Sequence, residues 1–245
     1  LTSTVAMFRI IVNHMIDEEL LESCVLQTLC ERVAQYQSDK QMVPLIWGMA
    51  HEILMKQEKS PKLQHGLLEF ISTIITHLHP TNTPNDQQLR RFLRFLQVSV
   101  SVESVAYKVV PIDWNGTAKG LLVACNHYSQ KTSELSCAVL TKSVEFENTC
   151  VKGPLLTTQV RELLHDFALQ RIGGGHSQQA KGWNLLGKLF RGFDTPKQLA
   201  TFNSIVTEGI STPASQAVAC DMATYIVLGA DRKSRAAYGE SIIYL

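Results

Sequence analysis

Gly173-Gly174-Gly175-His176-Ser177 stands directly before a helical pattern, where backbone amides could cradle a phosphate. No Lys-Ser or Lys-Thr follows at the Walker offset, and no strand feeds the turn as a dinucleotide fingerprint requires. Three glycines in succession exclude a stable helix interior, so the run reads as a turn or hinge. His51-Glu52 begins like a zinc-protease helix, but Met55 stands where the second histidine is needed. His77 and His79 flank Leu78 with no thiol or carboxylate beside them, a pattern of surface or capping histidines rather than ligands. The six cysteines, Cys24, Cys30, Cys125, Cys137, Cys150 and Cys220, form no Cys-x-x-Cys pair. There is no Gly-x-Ser-x-Gly elbow and no defensible Ser–His–Asp set. The expectation is a non-enzyme with no catalytic residue, no metal and no cofactor.

The cations and aromatics of the last third are more suggestive. Lys181, Lys188 and Arg191 fall on one predicted helix, where Lys181 and Lys188 share a face and Trp183 and Phe190 share another. Arg232, Lys233 and Arg235 form a basic cluster with Tyr238 behind it. Cations suit phosphates, and aromatic rings suit unstacked bases. An ordinary amphipathic helix with a solvated basic side fits the first group equally well. Net charge is only +1, but it is unevenly spread. Residues 1–150 carry 13 Lys and Arg against 15 Asp and Glu, whereas 151–245 carry 10 against 7. A basic groove in the second part is therefore compatible with a nearly neutral total.

These residues must be positioned by helices. At 245 residues, 45% hydrophobic and 18% charged, the chain can bury a core as one large domain or two small lobes, and global disorder is excluded. Leu21, Val25, Leu29 and Val33 recur at helical spacing after the acidic start Asp17-Glu18-Glu19. Helices are predicted over 41–56, from Ser60-Pro61 onward, over 86–97, and over 117–129, 132–146, 155–170, 177–191, 195–208 and 213–229. Val98, Val100 and Val102 alternate with serines, and Val105, Tyr107 and Val109 repeat the alternation. This predicts one β-hairpin at about 98–110. No apolar run is long enough to span a membrane. A soluble intracellular protein is expected, and a chain starting at Leu1 reads as a fragment or a processed product.

The stretch from Ala219-Cys220-Asp221-Met222 through Tyr225-Ile226-Val227-Leu228-Gly229-Ala230 leads into Ala236-Ala237-Tyr238-Gly239-Glu240-Ser241. Asp166-Phe167-Ala168-Leu169-Gln170, the glycine run and the helix of Trp183 and Phe190 precede it. In that order these segments resemble the nucleoproteins of non-segmented negative-strand RNA viruses, as a divergent member or an endogenous relic. The likeness covers about 165–245, and the rest in element order only. Cys220-Asp221 stands where the family often has Phe-Pro, and Glu240 where it often has Arg.

The resemblance implies a mainly α, two-lobed nucleoprotein-like fold: an N-terminal helical lobe with the hairpin over 1–172 and a C-terminal lobe, truncated at Leu245, over 173–245. Gly173, Gly174 and Gly175 would be the hinge. Single-stranded RNA would be coated without regard to sequence in a cleft between the lobes, with self-assembly into a homo-oligomer and a viral polymerase cofactor as a further partner. Its site would comprise Lys152, Arg161, Arg171, Lys181, Arg232, Lys233 and Arg235, with Tyr238 for stacking. The location would be the host cytoplasm or nucleus, and the virion if the protein is viral. The competing expectation is an irregular α-solenoid or helical adaptor that binds proteins. An enzyme with an unrecognised site is a third class.

Overall fold

The structure, a computed structural model, describes residues 6–7, 10, 25–36, 39, 41–57, 64–100, 112–149, 155–230 and 232–243. Among them the chain is mainly α: α1 Gln27–Gln35, α2 Met42–Gln57, α3 Gln64–Thr76, α4 Asp86–Ser99, α5 Trp114–Cys125, α6 Gln130–Thr149, α7 Thr158–Ile172, α8 His176–Leu189, α9 Thr195–Ser204, α10 Gln216–Gly229 and α11 Arg232–Ile243. The only strand-type pairing among the described residues is the isolated bridge between His79 and Asn82. None of these helices is long and apolar enough to cross a membrane.

The expected hairpin is corrected at its start. Val98 and Ser99 belong to the last turn of α4, and Val100 caps it. Leu89, Phe92, Leu93 and Leu96 set a helical stripe that reaches Val100, which is 1% exposed, while Val98 is 73% exposed. Over 98–100 the alternation is the end of a 3.6-residue period. The remainder of the expected hairpin lies outside the described residues.

Contacts group the chain into two compact units, 1–143 and 144–245. The division falls inside α6, and the glycine run lies within the second unit.

In the first unit α3 is central and packs against α1, α2, α4 and α5. Leu67, Leu68, Phe70, Ile71, Ile74 and Ile75 are all essentially inaccessible, so apolar side chains cover more than one face. The α3–α5 approach depends on Gly120, where a Cβ would overlap the Ile75 carbonyl. Asp113 sets the start of α5 by accepting the Gly116 N–H at 2.9 Å. Asn85 does the same for α4 through the Gln88 N–H at 2.9 Å.

In the second unit α7 and α8 pack along each other, joined by the three glycines. Gly182 permits their approach, since a Cβ there would lie 2.7 Å from the Ala168 carbonyl oxygen. Asp194 caps α9 through the Lys197 N–H at 3.0 Å, with Pro196 in the first turn. A π-helical turn, Ile205–Gly209, prolongs α9. The first residues of the helix expected over 213–229 are instead a turn. There the buried Ser215 hydroxyl donates to the Gly209 carbonyl at 3.0 Å, and α10 begins at Gln216.

Candidate functional site: a cation–aromatic groove in the second unit

Trp183, Phe190 and Phe202 are buried, so α8 and α9 turn their aromatic faces inward. Tyr238 of α11 joins them, 4% exposed, with ring centroids 4.7 Å from Phe202 and 5.8 Å from Phe190. Above this floor lies a groove of about 390 Å³ lined by Phe190, Arg191, Gln198, Tyr225, Ile226, Ala230, Ser234 and Tyr238.

Two cations converge on the Tyr225 ring. Lys188 Nζ is 4.1 Å and Arg191 Cζ 5.4 Å from its centroid. Lys188 is largely buried and donates to Glu145 Oε1 at 2.7 Å. Arg191 is exposed and makes no ion pair among the described residues. Gln198 Nε2 donates to the Phe190 carbonyl at 3.3 Å, which fixes one wall. The cluster thus presents one neutralised cation and one available guanidinium, held over an aromatic face.

The structure distributes the expected RNA-binding residues among different tasks. Arg161 is buried, at 7% exposure. Arg171 bonds Gln178 through Nη1 and lies 4.8 Å from the Phe167 ring, bracing the α7–α8 turn. Lys181 is half-buried. Arg235 donates from Nε to the Ala230 carbonyl at 2.8 Å and from Nη2 to Leu228 at 3.2 Å, so it satisfies the end of α10. Tyr238 is a floor residue whose ring faces the core. Arg232 and Lys233 open α11, with side chains outside the description, and Lys152 lies outside the described residues. Of the candidates whose side chains are described, only Tyr238 lines the groove. Gly173, Gly174 and Gly175 form an exposed turn. Arg191 and Tyr225 lie outside the expected site. The available signal was Lys188-x-x-Arg191, two cations one helical turn apart.

A second polar centre occupies the first unit. The Asp86 carboxylate accepts hydrogen bonds from Thr132 and Ser129, pairs with Arg90 at 2.6 Å, and lies 4.0 Å from His127 Nδ1. The Thr132 hydrogen bond, aided by Ser129, Arg90 and His127, holds Asp86 below the usual carboxylate range despite partial desolvation. Burial pushes His127 below the usual imidazole value, against the pull of Asp86. The Ser129 backbone N–H donates to His127 Nδ1 at 3.2 Å, while Nε2 is buried without a partner. The Ser129 hydroxyl goes to Asp86, so the histidine activates no nucleophile and the set works as a tie between α4 and α6.

His77 Nδ1 contacts the Thr73 carbonyl at 2.9 Å, and His79 Nδ1 contacts Thr81 at 2.8 Å. Among the described residues no three His, Cys, Asp or Glu side chains gather as a metal site. Burial first, then Glu69, pushes the Cys30 thiol up to about 12, so this sulfur stays protonated and inert near neutral pH.

Comparison of the chain with protein-family models, curated proteins and solved structures gave no match.

Proposed function

We propose that this protein is a non-enzymatic helical interaction module, an adaptor that recognises a protein partner through concave surface on its helices. One observation carries the reading. Three of the four cations expected to bind RNA whose side chains are described are engaged within the fold: Arg161 is buried, Arg171 braces the α7–α8 turn, and Arg235 caps α10. A nucleic-acid coat needs a tract of solvent-facing cations spaced along the backbone it covers. Among its described lining residues the groove offers instead a single exposed arginine amid polar walls, the makings of a local recognition site. Packing mainly between helices near in sequence, with only the isolated His79–Asn82 bridge as strand-type pairing among the described residues, suits an irregular helical scaffold.

The second reading is the RNA-coating nucleoprotein that the late segments resemble. Two observations favour it: Lys188 and Arg191 converge on Tyr225, and α11 begins with Arg232 and Lys233 beside groove residue Ser234. In that reading RNA would cross the groove, Gly173–Gly175 would serve as the hinge, and copies of the chain would self-assemble.

Absorbance at 260 and 280 nm of the protein purified without nuclease separates the two. The adaptor reading expects the ratio of a protein free of nucleic acid. A ratio raised by copurified RNA that nuclease treatment lowers supports the nucleoprotein.

A further inference from the structure

We infer that the groove beside Arg191 is a receptor for a phosphate monoester carried on a side chain of the protein partner. The inference rests on the interaction-module reading and names what that module recognises. Among the described lining residues Arg191 is the exposed cation, and its guanidinium is held near the Tyr225 ring. A guanidinium prepositioned on an aromatic face loses less freedom on binding and keeps its planar fork of N–H donors for two oxygens of one phosphate. Lys188 cannot supply the same contact, because Glu145 already holds it at 2.7 Å. The pair is close to neutral, so among the described lining residues Arg191 supplies the charge that an incoming dianion meets. Ser234 and Gln198 place neutral polar groups around it. A groove of about 390 Å³ is large enough for a phosphorylated side-chain tip with its flanking backbone.

Two features favour a monoester on a side chain over a nucleotide or an RNA chain. A base needs an aromatic face to stack on. Here Tyr225 is occupied by Lys188 and Arg191, while Phe190 and Tyr238 pack into the floor with 5% and 4% exposure. An RNA chain also carries one charge per phosphodiester and needs cations in series. A monoester concentrates up to two charges and three terminal oxygens on one group, which a single fork can engage.

The test is a titration of the isotopically labelled full chain, followed by amide NMR shifts. The probes are N-acetyl-O-phosphoserine amide, dimethyl phosphate, adenosine monophosphate and an oligouridylate. Saturable shifts at 190–191, 225–226 and 234 with phosphoserine amide are expected, with dimethyl phosphate at least about tenfold weaker. Arg191→Gln should abolish these shifts with the remaining spectrum unchanged, and Arg191→Lys should restore only part of the affinity. Absence of shifts at these positions overturns the inference while leaving the adaptor reading intact. Adenosine monophosphate binding tenfold tighter than phosphoserine amide overturns it in favour of a free nucleotide. Oligouridylate binding that is tighter than either and falls steeply with salt overturns both this inference and the adaptor reading.

Discussion

The Asp86 centre of the first unit and the Tyr225 centre of the second use charge in opposite ways. Asp86 is surrounded by Thr132, Ser129, Arg90 and His127, and the hydroxyl of Thr132 is fully enclosed. At Tyr225 one cation is paired with Glu145, but the other, Arg191, faces solvent over an open groove. Polar groups whose hydrogen bonds close on one another hold helices in register, and removing one leaves others buried and unsatisfied. A charge left available on a rigid aromatic support adds little to stability and can be used by a ligand. The contrast suits stability at the first centre and, in the proposed reading, recognition at the second.

The largest expected effect removes the packing that lets the first centre form. Gly120→Leu should destabilise by about 3 kcal/mol or more, because its side chain collides with the Ile75 carbonyl and forces α3 and α5 apart. Urea unfolding should show a lower midpoint, and a midpoint equal to that of the parent would remove Gly120 from the account. Asp86→Ala should cost about 2 kcal/mol, since it leaves the enclosed Thr132 hydroxyl without its acceptor and Arg90 without its carboxylate. The same unfolding measurement checks it.

The pH dependence sharpens the difference further. His127 has its folded pKa below the ordinary 6.5, so the unfolded chain takes up the proton more readily. Its contribution is therefore fully present above pH 6.5 and is lost as pH falls through the folded value. Asp86 has its folded pKa below 3.8, so its contribution is present above 3.8 and lost as acid protonates it in the fold. His165 in the second unit, lowered by burial and Lys197 despite Asp166, changes stability in the same direction as His127. His127→Asn should flatten the upper limb of a stability–pH curve without removing the His165 contribution. An unchanged curve would show that the first centre does not respond to pH through this ring.

At Tyr225 the effects on stability should be small. Lys188→Met should cost about 1 kcal/mol through loss of a partly exposed pair with Glu145. Arg191→Gln should lie within about 0.5 kcal/mol of the parent, as expected for an exposed side chain without an ion pair. A loss at Arg191 as large as that at Asp86 would erase the distinction between the two centres.

Much of the helical layout was legible because local chemistry announces it. The helices expected over 86–97 and 195–208 are found as α4 and α9, and Asn85 and Asp194 supply local caps that need no tertiary help. The end of α4 is ambiguous in sequence because the alternation starting at Val98-Ser99-Val100 also fits a helix tail. Burial of Val100, a tertiary fact, decides between the two readings. The start of α10 was misplaced for a similar reason: Thr212-Pro213 is good capping chemistry, but Ser215 bonds Gly209 and makes a turn there. The site was less legible still. Arg161 and Arg235 read as solvent-facing cations, and nothing local reveals that one is buried and the other caps a preceding helix. Tyr238 read as a stacking platform, yet its partners Phe190 and Phe202 are 48 and 36 residues earlier in the chain.

The most direct measurement is filter binding of single-stranded homopolymer RNAs by the full chain at several salt concentrations. The adaptor account predicts no saturable binding to any homopolymer at physiological salt. It is contradicted if all homopolymers bind alike, affinity falls with a slope near 0.7 per phosphate contact, and replacing Arg232, Lys233 and Arg235 together by alanine flattens that slope.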